Sequence, residues 1–250
     1  TSFATFPPEG PDIGVGLGAV KNVGDAITQA MIEERVARGP FKNFGDLLSR
    51  VQHKDLNKKS LESLAKAGVF DSLGIERNQI VANMDQALRF AQAKRKGEQN
   101  TPSLFGSSLP APELKLPPAP PASAAEKLMW EKELLGFYLS DHPLNAHKER
   151  ITKAGVRPIS DALAMPDGRI VRIAGCVAQV KKIVTKDGKP MIFATVEDFS
   201  PQPMEIIIFN SILEKTTDCW QDNAVVLIEG KISHRNDEIK LVCDRARKLS

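Results

Sequence analysis

The chain has 250 residues, which is enough for two modest domains or one large one. Its composition, 42% hydrophobic and 26% charged, is ordinary for a soluble globular protein, and its net charge of +3 permits a nucleic-acid partner without demanding one. The scattered cysteines and histidines exclude a disulfide scaffold and a structural zinc site, and no apolar run approaches the ~20 residues that span a bilayer. We therefore expect a binding region that carries no catalytic residue, no metal site and no membrane contact.

Residues 13–97 show helical periodicity, with apolar side chains three and four positions apart. The pattern predicts a helix from Asp25 to Arg38, which ends at a Gly-Pro pair, and a second helix that Asn57 caps and Gly68 closes. It also predicts one longer helix from about Arg77 to residue 97.

The segment from Leu17 to Gly24 is followed at once by an amphipathic helix and resembles a helix-hairpin-helix motif. Glycine lets the turn approach a phosphate closely, and the next helix presents unpaired amides with a partial positive charge. Lys21, Asn22, Val23 and Gly24 are therefore candidate duplex-binding residues. A glycine turn between two helices is also often a simple connection, so this alternative stays open.

A second, weaker copy of the motif runs from Lys58 through Gly68 to the helix after Arg77. Its candidate phosphate contacts are Lys58, Lys59 and Arg77. As single exposed charges, such residues more often serve only as solubilising surface.

Residues 99–123 form a proline-rich linker, and seven of the 17 prolines lie between positions 100 and 123. Proline donates no amide hydrogen and favours extended backbone, so we expect a tether rather than core. Leu104 and Phe105 are adjacent apolar residues in this tether. They are suited to a hydrophobic pocket on a partner, or they fold back onto this chain. Residues 124–168 are predicted to be a helical connector.

Residues 169–250 contain five β-prone runs, with a short helix between the third and the fourth. This order predicts a five-stranded barrel of the oligonucleotide/oligosaccharide-binding (OB) type, with a bulge near Gly175. The predicted fold class is therefore multidomain α plus β, in which an all-α tandem helix-hairpin-helix region precedes the linker and the barrel.

Basic residues and one aromatic residue mark a candidate single-strand-binding surface on the barrel, because such surfaces combine cationic grooves with stacking platforms. The candidates are Lys181, Lys182, Lys186, Lys189, Phe193, His234 and Arg235. The alternative is that Phe193 belongs to the core and that the lysines decorate a hairpin tip.

Several short sequence motifs follow one another in an order that is typical of a known family. They include Gly16–Gly24, Gly39–Lys42, Leu56–Lys59, Ala67–Gly74, Trp130–Leu144, Thr185–Lys189 and Phe193–Asp198. Together they resemble the C-terminal part of the bacterial DNA polymerase III alpha subunit, the replicative C-family polymerase.

This resemblance implies a role for each segment. Residues 1–98 correspond to the end of the fingers and the duplex-binding helix-hairpin-helix region, residues 99–123 to a linker with a clamp-binding motif, residues 124–168 to the connector, and residues 169–250 to an OB domain for single-stranded template. Leu104 and Phe105 match the end of the family's clamp-binding pentapeptide, and Thr101 stands where glutamine is common.

The resemblance also implies a DNA-directed DNA polymerase (a nucleotidyltransferase) whose Mg²⁺-binding catalytic domain lies upstream of Thr1, with no cofactor in this segment. The implied partners are duplex and single-stranded DNA, a sliding clamp and other holoenzyme subunits, in the cytoplasm. Two alternatives stay open: a free-standing, non-enzymatic DNA-binding protein and an error-prone polymerase paralogue of the same family.

Overall fold

The computed structural model describes residues 16–99, 114–185, 187–235 and 238–249. The chain divides into two compact units, Thr1–Ser140 and Asp141–Ser250, so that the predicted connector 124–168 is shared between them. The predicted contact residues Thr101, Leu104, Phe105 and Lys186 lie outside the described residues. Among the helices that the structure describes, none has the length and apolar character needed to cross a membrane.

The first unit is helical. Its helices are α1 (Asp25–Arg38), α2 (Phe44–Arg50), α3 (Lys58–Lys66), α4 (Arg77–Ala82), α5 (Met84–Gln99) and α6 (Ala124–Leu135). The predictions of α1 and α3 are confirmed, whereas α2 was not predicted.

The prediction of a single helix from Arg77 is wrong, because two helices, α4 and α5, meet at Asn83. The Asn83 amide donates to the carbonyl of Ile80 rather than to that of Gln79, and its side chain donates to the Gln79 carbonyl instead. The α-helical ladder therefore stops at this residue and restarts as α5.

The core of the first unit is built from the apolar faces of these helices. Ile27 on α1 and Leu48 on α2 are fully buried, as are Leu61 and Leu64 on α3 and Ala87 on α5. The periodicity that predicted α1 and α3 therefore also identified their buried faces.

Residues 114–122, here called the strap, lie against α4 and α5, which corrects the expectation of a free tether for this stretch. Proline has no amide hydrogen but keeps its carbonyl, and extended backbone leaves that carbonyl available. Four amide side chains of α4, α5 and the junction between them donate to strap carbonyls. They are Asn78 to Pro120 (2.8 Å), Gln79 to Leu116 (3.0 Å), Asn83 to Pro117 (2.9 Å) and Gln86 to Lys115 (2.7 Å).

A buried ion pair joins the second hairpin to α6. The Arg77 guanidinium is 2.9 Å from the Glu131 carboxylate and 2.7 Å from that of Asp71. Glu131 is fully buried and also accepts hydrogen bonds from the amides of Leu139 and Ser140, each at 2.8 Å. Burial alone would raise the pKa of Glu131, but the hydrogen bonds from these amides and from Arg77 outweigh it and lower the pKa.

The second unit is a closed barrel. Its strands are β1 (Ile170–Val184), β2 (Pro190–Glu197), β3 (Met204–Ile208), β4 (Val225–Arg235) and β5 (Glu238–Lys248), in the order β1-β2-β3-β5-β4. Of the strand pairs that the structure describes, β3–β5 is parallel and the other four are antiparallel. The unit also contains α7 (Lys148–Lys153), α8 (Ile159–Leu163) and α9 (Asn210–Leu213), the last of which separates β3 from β4. The predicted five-stranded OB-type order is confirmed.

The bulge predicted near Gly175 lies a little farther along β1. The β1–β2 register shifts between Val177 and Gln179, and the β4–β5 register shifts between Glu229 and Gly230. Gly175 has a different role, because a Cβ there would collide with the side chain of Val196 and the carbonyl of Glu197 on the neighbouring strand β2.

The charge of Glu131 is expected to stabilise the first unit. Because Glu131→Gln keeps the shape but leaves Arg77 without its fully buried partner, we expect a loss of about 3 kcal/mol in the free energy of unfolding at neutral pH. A carboxyl with a lowered folded pKa stabilises the protein above its unfolded pKa of ~4.3 and loses that contribution as the pH falls through the folded value. The difference between wild type and variant should therefore shrink in acid.

Urea unfolding across this pH range measures the effect. Glu133→Gln, on the exposed face of the same helix, is the matched control and should change stability little. An equal, pH-independent loss for both variants would contradict the assignment.

Candidate nucleic-acid interface

The first hairpin, Val20–Gly24, reverses the chain directly before α1. Asn22 takes a φ of 67°, the left-handed region that glycine usually occupies. The hairpin is held from two sides: the Lys21 amide donates to the Leu134 carbonyl of α6 at 2.9 Å, and the Asn22 side chain donates to the Ser63 hydroxyl of α3 at 3.3 Å. The turn is therefore fixed by tertiary contacts rather than by its own sequence alone.

The N-terminus of α1 lacks a side-chain cap. Its N-cap residue is Gly24, which has extended backbone and offers no side-chain acceptor. By contrast, Asn43, Asn57 and Ser123 each accept a hydrogen bond from a first-turn amide of α2, α3 and α6, respectively. The first-turn amides of α1 thus carry the partial positive charge of a helix end with no capping oxygen.

The predicted residues around this helix end differ in exposure. Lys21, Asn22 and Gly24 are exposed, whereas Val23 is half-buried and packs against the core. Lys59, one turn before Ser63, lies on the same face of α3 and is exposed. Helical spacing therefore puts Lys59 on the face of α3 whose Ser63 bonds to the first hairpin.

The N-terminus of α4 in the second hairpin is closed by a carboxylate. Glu76 accepts hydrogen bonds from the amides of Asn78 (2.6 Å) and Gln79 (3.3 Å). It also accepts from the Ala122 amide of the strap at 3.0 Å and forms an ion pair with Lys127 at 3.2 Å. Burial would raise the pKa of Glu76, but these hydrogen bonds outweigh it and lower the pKa, so an anion of the chain already occupies this helix end.

The prediction that Arg77 contacts phosphate is corrected. Its side chain is only 5% exposed and is held by Asp71 and Glu131. The absence of a side chain at Gly68 makes room for the guanidinium, because a Cβ there would collide with it. Lys58 is exposed and forms an ion pair with Asp85 at 3.0 Å.

The barrel unit presents a mixed aromatic and basic row, here called the outer row. In cross-strand register it runs Lys181, Phe193, Ile207, Val242 and Lys231. Phe193 is only half-buried and faces outward, whereas its neighbours Ile192 and Ala194 enter the core. The alternative that places Phe193 in the core is therefore wrong. Sequence reasoning missed Ile207, Lys231 and Val242, although strand alternation could have found them.

The other predicted barrel residues are dispersed. Lys182 lies on the opposite face of β1 from Lys181, because consecutive strand residues alternate, and Lys189 is exposed at the β1–β2 hairpin. The His234 amide donates to Asp167 at 2.9 Å, and its ring nitrogen lies 3.0 Å from the Met165 carbonyl. Arg235 is exposed and lies opposite Glu238 in the register of the β4–β5 hairpin.

Lys240 adds a cation beside the outer row. Its Nζ lies 5.2 Å from the centroid of the Phe193 ring, within the range of a cation–π contact. Hydrogen bonds to Glu205 and Glu238 raise the pKa of this amine. The ammonium group is therefore held in place over the Phe193 ring.

Within the described ranges, no group of His, Cys, Asp and Glu is placed to hold a metal ion. Cys176, Cys219 and Cys243 are buried and form no disulfide. Burial raises the pKa of Cys219 to about 11 and that of Cys243 to about 12, so both thiols stay protonated at neutral pH. The thiols of Cys219 and Cys243 are therefore poor nucleophiles at this pH.

Two domain families match separate parts of the chain. The helix-hairpin-helix motif family matches residues 1–80, and the OB-fold nucleic acid binding domain family matches residues 171–249. The two matches fall in different units of the structure.

Curated relatives match almost the whole chain. The DNA polymerase III subunit alpha of Borreliella burgdorferi is 32% identical over 98% of this chain and 22% of its own length. That of Neisseria meningitidis serogroup A is 34% identical over 89% of this chain and 19% of its own length. That of Mycobacterium tuberculosis H37Rv is 33% identical over 97% of this chain and 21% of its own length. The chain thus spans only about a fifth of the relatives it matches.

Likeness to solved structures is weak. The ygiW protein of E. coli has a TM-score of 0.30 at 15% identity, covering 38% of this chain and 89% of its own. The S. cerevisiae mitochondrial single-stranded DNA binding protein Rim1 has a TM-score of 0.27 at 15% identity, covering 34% of this chain and 97% of its own. At these scores the likeness adds nothing to the fold assignment.

Proposed function

Because this chain is homologous over nearly its whole length to the C-terminal part of the bacterial DNA polymerase III alpha subunit, we propose that it holds DNA for a replicative polymerase and tethers the enzyme to a sliding clamp. The match of both units to nucleic-acid-binding families carries the proposal. Nucleotidyl transfer and its Mg²⁺ then belong to the rest of the polymerase, which acts in the cytoplasm with other holoenzyme subunits.

Duplex DNA is held at the first hairpin. A backbone phosphate accepts hydrogen bonds from the uncapped first-turn amides of α1, and Lys21 and Lys59 supply cations on either side. Such contacts read no bases, which suits an enzyme that must travel along any sequence. Asp25 at the start of α1 stabilises the helix and faces solvent, so it limits the affinity without filling the amide site.

Gly24→Asp tests this site because it adds a carboxylate cap that competes with phosphate. The backbone of Gly24 suits any residue, and an added Cβ meets nothing within 4 Å, so the variant should fold normally. We expect its affinity for duplex DNA to fall by about tenfold or more, the value of a charge-assisted hydrogen bond. Fluorescence anisotropy with a labelled duplex measures it.

Gly24→Ala is the matched control, since it adds the Cβ without an acceptor, and it should bind nearly as wild type does. Equal affinity of the Asp and Ala variants would contradict a phosphate at this helix end.

Single-stranded template is held on the outer row of the barrel. Phe193 offers a ring for base stacking, and Lys181 and Lys231 mark the ends of the row with positive charge. Stacking tolerates every base, so this surface also binds without sequence preference.

Phe193→Ala should weaken the binding of an unpaired oligonucleotide by about fivefold or more, because one stacking contact is lost. Phe209→Ala removes another exposed aromatic of the same unit, outside the outer row, and should leave the affinity unchanged. Anisotropy titrations at several salt concentrations compare the two. A matching loss in both variants would indicate a general effect on the unit and contradict the assignment to the outer row.

The sliding clamp is bound by a motif that contains Thr101, Leu104 and Phe105. The helix α5 ends at Gln99, and the strap is anchored from Lys115 to Pro120 on the same unit. Because this motif belongs to the same chain as the DNA-holding unit, a bound clamp would be kept at high effective concentration.

Changing both Leu104 and Phe105 to alanine should weaken binding to the sliding clamp by about 2 kcal/mol, roughly thirtyfold, as expected for apolar hot-spot residues. Surface plasmon resonance with immobilised clamp measures this. Leu109→Ala, a similar apolar change in the same linker, is the control. Clamp affinity that survives the double change would remove clamp tethering from the proposal and leave DNA binding intact.

A further inference from the structure

The turn after β2 displays the most exposed aromatic side chain of the described residues. Phe199 is 66% exposed, and one face of its ring packs against the His142 ring, with the centroids 4.3 Å apart and the planes tilted by 40°. An exposed phenylalanine loses free energy to hydration unless a partner covers it. The ring contact with His142 leaves the other side of Phe199 open.

Hydrogen bonds hold this turn firmly. The Asp198 carboxylate accepts from the amides of Ile159 (2.8 Å) and Ser200 (2.7 Å), and the Ser200 hydroxyl accepts from the Ser160 amide at 3.0 Å. The turn is thereby tied to the start of α8. The backbone that carries Phe199 is therefore already ordered. A ligand that binds to this ring would have less conformational entropy to remove from the protein.

Beside Phe199 lies a cavity of about 520 Å³, here called the Phe199 cavity. Its floor is apolar, from Leu144 and Ile151, and its rim carries the exposed cations Lys148 and Arg157. The volume falls within the range of small-molecule sites, ~300–1,000 Å³. An aromatic ring, an apolar floor and two cations suit a ligand with both a planar ring and a negative charge.

Two carboxylates beside the Phe199 turn, Asp198 and Asp141, form hydrogen bonds within the unit. Asp198 is bonded to the two amides described above, and Asp141 accepts from the His142 amide (2.7 Å) and the Asn145 side chain (2.5 Å). The bonds to Asp141 lower the pKa of that carboxyl, and the bond from Asn145 contributes most. Lys148 and Arg157 line the cavity and are exposed.

We propose that the Phe199 cavity binds one nucleotide of an unpaired strand. The base stacks on Phe199, and Lys148 and Arg157 neutralise the adjoining phosphate. The inference rests on the proposed single-strand binding by this unit and adds a second contact to it. The cavity is separate from the outer row, because the end of β2 at Glu197 lies about 13 Å along the strand from Phe193.

Anisotropy titration of the 250-residue chain with a labelled unpaired oligonucleotide tests the site. Phe199→Ala should weaken binding by about fivefold or more, and Phe199→Trp should restore it, because tryptophan also stacks. Replacing Lys148 or Arg157 by alanine should each reduce the slope of log affinity against log salt by about 0.7. Lys153→Ala, on the same helix as Lys148 but outside the cavity lining, should leave the slope unchanged.

The outcomes separate this inference from the proposed function. If Phe193→Ala weakens binding but Phe199→Ala does not, the cavity site is overturned, the outer row stands, and a protein segment becomes the better occupant. If the unaltered chain retains no unpaired oligonucleotide even in dilute buffer, the single-strand function itself fails. Weakening by Phe199→Ala with rescue by Phe199→Trp supports the cavity.

Discussion

An α-helix leaves its first amides without partners inside the helix, and the helices of the first unit differ in the group that caps these amides. At α4 the Glu76 carboxylate occupies them, and at α2, α3 and α6 side-chain oxygens do so. At α1 the N-cap is Gly24, which supplies none. Two hairpins that look alike in sequence therefore differ in chemistry: the first has no capping side chain, and the second is capped by a carboxylate.

The second hairpin instead acts as a support. Arg77 binds Glu131 of α6, and Glu76 binds the Ala122 amide at the end of the strap. The same α6 accepts the Lys21 amide through the carbonyl of Leu134, which holds the first hairpin. The helix α6 therefore contacts both hairpins, through the Arg77–Glu131 ion pair and through the Leu134 carbonyl.

Local signals predicted much of this fold, and long-range contacts explain what was missed. The helix α1, the Asn57 cap and the strand order follow from glycine, proline, capping residues and alternation, all of which act over a few positions. The burial of Arg77 depends on Glu131, which is 54 positions away, and no local pattern reveals it. The strap binds through carbonyls, a property that proline retains, while the prediction considered only the amide that proline lacks.

Amide-resolved NMR of the isotope-labelled chain, titrated with a short duplex, tests the central claim most directly, because it reports each helix end separately. The amides that follow Gly24, at the start of α1, should shift most on binding, and those of Asn78 and Gln79, which already bond to Glu76, should stay unchanged. A response at Asn78 and Gln79 with none at the start of α1 would contradict the account.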